Sequence, residues 1–358
     1  MSKVGVDDVG ALARGAAVLG TGGGGDPYIG RLLAEQALRA HGPVETVTLD
    51  ELPDDASVLP VGMMGAPTVM VEKIPSAEQV GTAVTALARY LGRTATHVAC
   101  IEAGGVNSTI PFVAAAQLGL PLIDGDGMGR AFPELQMVLP TLSGIAATPM
   151  SIVDEKGNRG VLDTVDNHWA ERLARTATIE MGCSAIVSLY AMTGAEVRQG
   201  FAGGTLSLCM ALGRDIDRAR REHRDPVTAV VDRLRGQVVH TGKVVDIARR
   251  TATGFARGDA TIEGVDASVG TRLVLRFQNE HLIAERDGTP IATTPDLIIV
   301  LDRETGEPIT TESLRYGHRV SVITAPCDER WHSESGIALV GPRYFGYDLD
   351  PVRVPREA

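Results

Sequence analysis

Asp124-Gly125-Asp126-Gly127-Met128-Gly129-Arg130 sets two carboxylates one residue apart, directly after an apolar run at 121–123 that reads as a buried strand. Alternating glycines let such a loop turn sharply and come close to a ligand. Glu102-Ala103-Gly104-Gly105-Val106-Asn107-Ser108 offers a second carboxylate loop after the strand-like run 96–101, where an unpaired Glu102 would be costly unless it binds something. Crowding of Asp124, Asp126 and Glu102 should raise at least one pKa, which makes general acid or base catalysis the chemistry these residues suggest. The plainer readings are a turn cap for each Asp and a helix cap for Asn107 or Ser108. A calcium loop of the EF-hand type is not signalled, because Met128 stands at the third ligand position.

Gly20-Thr21-Gly22-Gly23-Gly24-Gly25 satisfies G-x-G-x-x-G and runs into Asp26 and Pro27, a helix-starting pair. Bare N–H groups ahead of a helix can hold an anion, so Gly22, Gly23, Gly24 and Asp26 are candidate substrate-binding residues. An NAD-linked oxidoreductase could use this loop, with Asp50 taking a ribose hydroxyl, but the preceding segment reads as helix rather than strand. Carboxylate or substrate binding is therefore preferred to a dinucleotide, and a purely structural turn stands beside both. Residues 62–68 follow another strand-like run, and Lys73 beyond them could hold an anion or form a solvated ion pair with Glu72.

Searches for metal ligands and nucleophiles are mostly negative. The eight histidines show neither HxH nor HExxH spacing, and the four cysteines form no CxxC. No cofactor is expected; the alternative is a divalent metal held by carboxylates and a distant histidine. Cys100 could be a thiolate at the crevice, but a buried strand cysteine is usually inert packing.

The elements that must position these groups follow from periodicity. Helices are expected at 6–19 and from Pro27 to about 40, with another opening at Ser76, three residues before Gln79. Strand-like runs at 44–49, 57–61, 96–101 and 121–123 alternate with them, which implies a mostly parallel sheet. Beyond about 165, Asp166 caps a helix to 181, a strand covers 185–190, and helices occupy 204–223 and 226–234. From 236 the period is two: 238–247, 272–277, 281–285 and 297–301 read as strands, with Asp287-Gly288 and Thr305-Gly306 as turns. The fold class is thus α/β, an N-terminal domain over 1–166 and a C-terminal domain over 167–358, helical to about 235 and then an antiparallel barrel-like or sandwich unit over 236–348.

A chain of 358 residues has ample length for a core, and 44% hydrophobic with 22% charged residues is globular composition. With 34 Lys and Arg against 45 Asp and Glu, the net charge of −11 repels phosphate backbones and anionic lipid surfaces, so neither nucleic acid nor a membrane is expected as a partner. The long uncharged stretches 103–123 and 135–153 each contain two prolines and several polar residues, so they read as core with loops. Asp7, Asp8 and Arg14 interrupt any leader-like run, giving a cytoplasmic expectation.

Taken together, GTGGGGDP at 20–27, residues 62–68 with Glu72-Lys73, residues 102–108, DGDGMGRAFPE at 124–134 and residues 135–137 resemble the N-terminal domain of the S-methyl thiohydantoin desulfurase family, formerly catalogued as hydantoinase/oxoprolinase-associated. GKVVD at 242–246, GFARG at 254–258, FQNE at 277–280, residues 295–302 and GPRYFGYD at 341–348 are similar to its C-terminal domain. The resemblance implies an α/β sandwich joined to a barrel-like domain and a hydrolase in which water replaces methylthiolate on a hydantoin-type ring. It implies a small cyclic amide as the partner, with self-association into a homo-oligomer compatible. On that chemistry Asp124 or Asp126 is the expected base, and Glu102 or the other Asp holds a ring N–H. Asn107 is a polar anchor, and the glycine loop, Lys73 or Arg130 takes a substituent carboxylate. Asn279 and Glu280 complete the pocket. Hydrolysis of another hydantoin, thiohydantoin or cyclic amide is the alternative, and a non-catalytic ligand-binding subunit is a third reading.

Overall fold

The structure is a computed structural model that describes residues 2–25, 27–65, 77–252 and 255–356. Asp26, Glu72, Lys73 and the Ser76 capping position therefore lie outside the described residues.

The first sheet takes the order β1-β2-β5-β4-β3-β8-β6-β7, from β1 (Ser2–Val4), β2 (Val44–Val47), β3 (Ser57–Gly65), β4 (His97–Cys100), β5 (Leu122–Asp126), β6 (Met150–Val153), β7 (Arg159–Leu162) and β8 (Ser184–Ser188). Its β2-β5-β4-β3 block is parallel, as expected where helices such as Glu78–Leu91 and Ile110–Leu118 cross between strands. Beyond β3 the sheet continues antiparallel through β8, β6 and β7. Two short strands, β9 (Met192–Thr193) and β10 (Ala202–Gly203), pair onto β3 and β5. Sequence positions 184–203 are thus built into the first sheet.

The second sheet is antiparallel and curls into a half-barrel. Its order is β15-β14-β13-β12-β11-β17-β16, from β11 (Gln237–Ala252), β12 (Phe255–Gly264), β13 (Arg272–Gln278), β14 (Glu280–Arg286), β15 (Thr289–Thr293), β16 (Leu297–Asp302) and β17 (Arg319–Ala325). The Asp287-Gly288 turn joins β14 to β15 with both residues at positive φ, 48° and 83°, the signature of a two-residue hairpin. β16 is apolar on both faces because it serves two cores. Leu297, Ile299 and Leu301 join the core of the first sheet, while Ile298 and Val300 fill the half-barrel. β16 therefore stands between two hydrophobic cores and ties the half-barrel to the first layer.

Helices Val6–Leu19 and Thr205–Arg221 pack on each other through glycine. A Cβ on Gly15 would lie 1.8 Å from the Cys209 carbonyl oxygen, and one on Gly213 would lie 2.1 Å from that of Ala11. Backbone meets backbone there, as only glycine allows. Among the described residues no helix is long and apolar enough to cross a membrane.

Gly15→Ala should lower unfolding stability by about 1–3 kcal/mol or more through overpacking. Gly10→Ala in the same helix meets only the Arg31 guanidinium, at 3.5 Å or beyond. It should be neutral or stabilising by roughly 0.5–1 kcal/mol. Urea melts of the two variants check the contrast.

Candidate active site

A cleft opens at the carboxyl ends of β3 and β4, where open α/β sheets place their ligands, and β14 of the second sheet covers it. Its walls include Gly24, Gly25, Met63, Ile101, Glu102, Asn107, Met128, Phe132, Glu134, Arg175, Asn279 and Glu280, and its free space is about 720 Å³, the open mouth included. Apolar walls with a few convergent polar groups are the usual make-up of a small-molecule site.

Glu102 is 6% exposed, and its Oε1 accepts a 2.6 Å hydrogen bond from Asn107 Nδ2. Burial pushes its pKa up to about 7, the Asn107 bond partly offsets that, and the Asp126 charge adds to it. Asn107 is spent on positioning: Oδ1 accepts from the Met63 amide at 2.6 Å, and Nδ2 also donates to the Met63 carbonyl at 3.1 Å.

Glu280 is 2% exposed, and its Oε2 has no hydrogen-bond partner. Burial and then the Glu102 charge hold its pKa well above the carboxylate range, against the pull of Arg130. Burial thus favours the protonated form of Glu280, while the Glu102 carboxyl is pushed only to about 7. Two carboxyls with pKa values pushed up in one water-poor cleft are a physical signature of acid–base chemistry. Beside Glu280, Asn279 lines the cleft at φ 57°, its Oδ1 accepting from the Ala256 amide at 2.9 Å.

The two aspartates lie elsewhere. Asp124 is bound to the start of helix Thr205–Arg221, accepting from the Ser207 amide at 3.0 Å and the Ser207 hydroxyl at 2.5 Å. The first turn of that helix thus gains a cap from another strand. Asp126 accepts from the amides of Ala103, Met128 and Gly129 at 2.8–2.9 Å, stitching the loop after β4 to the loop after β5. Neither side chain lines the cleft. Fixed donors hold both carboxyls in positioning arrangements, and burial pushes the Asp126 carboxyl up to about 6.

Arg130 is fully buried and engaged, donating to the carbonyls of Ala131, Pro295 and Asp296 and to Thr21 Oγ1. It also stacks 4.3 Å over the Phe132 ring. It does not line the cleft; its buried positive charge pulls Glu280 toward ionisation, which burial opposes.

The glycine loop is an interlock. The amides of His281 and Thr311 donate to the carbonyls of Thr21 and Gly22, and that of Val106 donates to Gly24. A Cβ on Gly23 would lie 1.9 Å from Glu280 Oε1, one on Gly22 would lie 2.7 Å from the His281 ring, and one on Gly24 would lie 2.7 Å from the Gly104 Cα. Gly22 and Gly23 are therefore covered by the second sheet, and only Gly24 and Gly25 reach the cleft. The loop follows helix Val6–Leu19, not a strand, and it lacks the geometry of a dinucleotide fingerprint. Cys100 is buried and its thiol is pushed up by burial, which suits packing.

The sequence reading missed the roles of Glu134 and Arg175. Glu134 accepts from Tyr344 OH at 2.7 Å and from Gln136 Nε2 at 2.5 Å. Arg175 pairs with Glu171 and lies 4.3 Å over the Phe255 ring. Glu134 and Tyr344 sit inside quoted motifs, but Arg175 is one charge on an ordinary helix, with no pattern to mark it.

Glu280→Gln should fold as well as the wild type, because the native side chain is already uncharged. Each of the two carboxyls should contribute a loss of stability as pH rises above 4.5, since it keeps a proton that the unfolded chain releases. The Glu102 share of that loss should end near pH 7, while that of Glu280 continues higher. Urea midpoints between pH 5 and 8 should fall less steeply for Glu280→Gln.

Comparison with known proteins agrees with this architecture. Family models described as S-Me-THD-like, N-terminal domain and S-Me-THD-like, C-terminal domain match residues 7–164 and 165–354. No curated protein matches. A crystal structure of a protein from Chromobacterium violaceum is 23% identical and superposes with a TM-score of 0.83, over 99% of this chain and 100% of that one, which shows a shared fold. With both of its domain models matched in order along the chain, this protein belongs to the S-Me-THD-like family.

Proposed function

We propose that the cleft hydrolyses an S-alkylated thiohydantoin ring, releasing an alkylthiol such as methanethiol and leaving a hydantoin. The observation that carries this reading is that two buried carboxyls from opposite layers line one cleft, Glu280 with an unpartnered Oε2 and Glu102 held by Asn107, with burial raising the pKa of both.

The ring carbon under attack carries the sulfur and two nitrogens, so it is a weak electrophile until a ring nitrogen is protonated. Glu280 donates its proton to that nitrogen, and ionised Glu102 takes a proton from water as the oxygen adds to the carbon. The tetrahedral adduct then collapses: the carbon–sulfur bond breaks, and the thiolate leaves with the proton held by Glu102. The adduct's hydroxyl proton returns to Glu280. One water is consumed, one thiol and one hydantoin are formed, and both carboxyls regain their starting states. Met63, Ile101, Met128 and Phe132 suit the apolar faces of the ring and its S-alkyl group, and Arg175 is the cleft-lining cation an acidic substituent would meet. The chemistry uses no cofactor, and the ligand is a small cyclic amide.

Thiol release from an S-methyl thiohydantoin should fall about 10²–10⁴-fold in Glu102→Gln and in Glu280→Gln. For the wild type, kcat/KM should rise with pH through about 7, as Glu102 ionises. Asn107→Ala removes a bond that favours ionised Glu102, so its rising limb should move to higher pH. Undiminished turnover in both Gln variants would overturn the proposal.

A further inference from the structure

Asp296, Cys327 and His332 come together away from the cleft. One ligand atom from each, a carboxylate oxygen, Sγ and a ring nitrogen, lies within 4.8 Å of the other two. The side chains of Asp296 and His332 are 1% and 5% exposed, and His332 Nε2 stands 3.0 Å from Asp296 Oδ1. None of the three lines the cleft. They come from the residue before β16, the residue two past β17 and the turn Glu329–His332.

From this cluster we infer that the protein binds one divalent transition-metal ion of the zinc class at Asp296, Cys327 and His332. Donors around tetrahedral zinc sit at roughly 2.0–2.3 Å, which separates them by about 3.3–3.7 Å. The His332–Asp296 spacing must open by a few tenths of an ångström, and the separations to Cys327 Sγ, within 4.8 Å, must close to that range. Thiolate, imidazole and carboxylate together suit a borderline ion better than calcium or magnesium. Charge agrees with burial: a dication balanced by the Cys327 thiolate and the Asp296 carboxylate is neutral overall. Binding releases the Cys327 proton, His332 coordinates through Nε2, and the fourth position takes water.

The site has a structural consequence. Asp296 Oδ2 accepts from the Val354 amide at 2.7 Å, and Asp296 Oδ1 accepts from the Cys327 amide at 3.0 Å, so the ion ties the C-terminal segment to the edge of the half-barrel. Trp331 Nε1 donates to the Met128 carbonyl at 2.8 Å, and Arg130 donates to the Asp296 carbonyl at 2.9 Å. The ion would therefore also brace the loop that follows Asp126.

Purified full-length protein, exposed to zinc and then freed of unbound ion by gel filtration, should retain about one zinc per chain by elemental analysis. Cobalt(II) in place of zinc should give a sulfur-to-cobalt charge-transfer band. Cys327→Ser should abolish that band, and His332→Gln should weaken zinc binding at least tenfold in competition with an indicator dye. Cys183→Ser, which alters a cysteine outside the cluster, should keep the band. Wild-type protein that retains no zinc and shows no cobalt–thiolate band would overturn the inference, however the variants fold. A band that persists in Cys327→Ser would also overturn it.

Discussion

Two carboxyl groups can share a dry cleft only if at least one keeps its proton, and that constraint organises this protein. Like charges at short range in low dielectric repel strongly. Glu102, just past β4, and Glu280, at the start of β14, line one cleft, and burial raises the pKa of both. Glu102 is steadied in its charged form by the Asn107 amide. Glu280 has an unpartnered oxygen and is kept neutral by burial. In the proposed mechanism the acid and base roles follow from these surroundings, since the two side chains are chemically identical.

Holding that pair needs a rigid seam between the layers, and the glycine loop is the seam. The carbonyls of Thr21 and Gly22 accept from the second sheet, and that of Gly24 accepts from the loop after β4. The bare Cα of Gly23 leaves room for the Glu280 carboxyl. Arg130, Asp124 and Asp126 reinforce the seam, each with its polar atoms committed to fixed partners. The carboxylate-bearing end of β5 is thus scaffolding for the acids that sit beside it.

Much of the fold was legible wherever a signal was local. Pro226–Leu234 begins at a capping Asp225 followed by proline, and Asn167–Glu180 begins at Asp166, whose carboxylate accepts from the Trp169 amide. β12 and β17 escape the sequence reading because Phe255–Gly264 is rich in charged residues and glycine, while Arg319–Ala325 pairs with β11, far back along the chain. The antiparallel extension through β8 was hidden for the same reason.

At the site, Glu102 was visible because a carboxylate just past a buried strand has few cheap fates. Asp124 drew attention for the same reason, but its partner Ser207 is remote in sequence, so the cap could not be seen. Glu280 was assigned a supporting place because its burial against Gly23 exists only once the two sheets meet.

The protonation state of Glu280 is the central claim, and difference infrared spectroscopy reads it directly. At pH 7, wild type minus Glu280→Gln should show the carbonyl stretch of a protonated carboxylic acid. A difference spectrum holding only ionised-carboxylate bands would contradict the account.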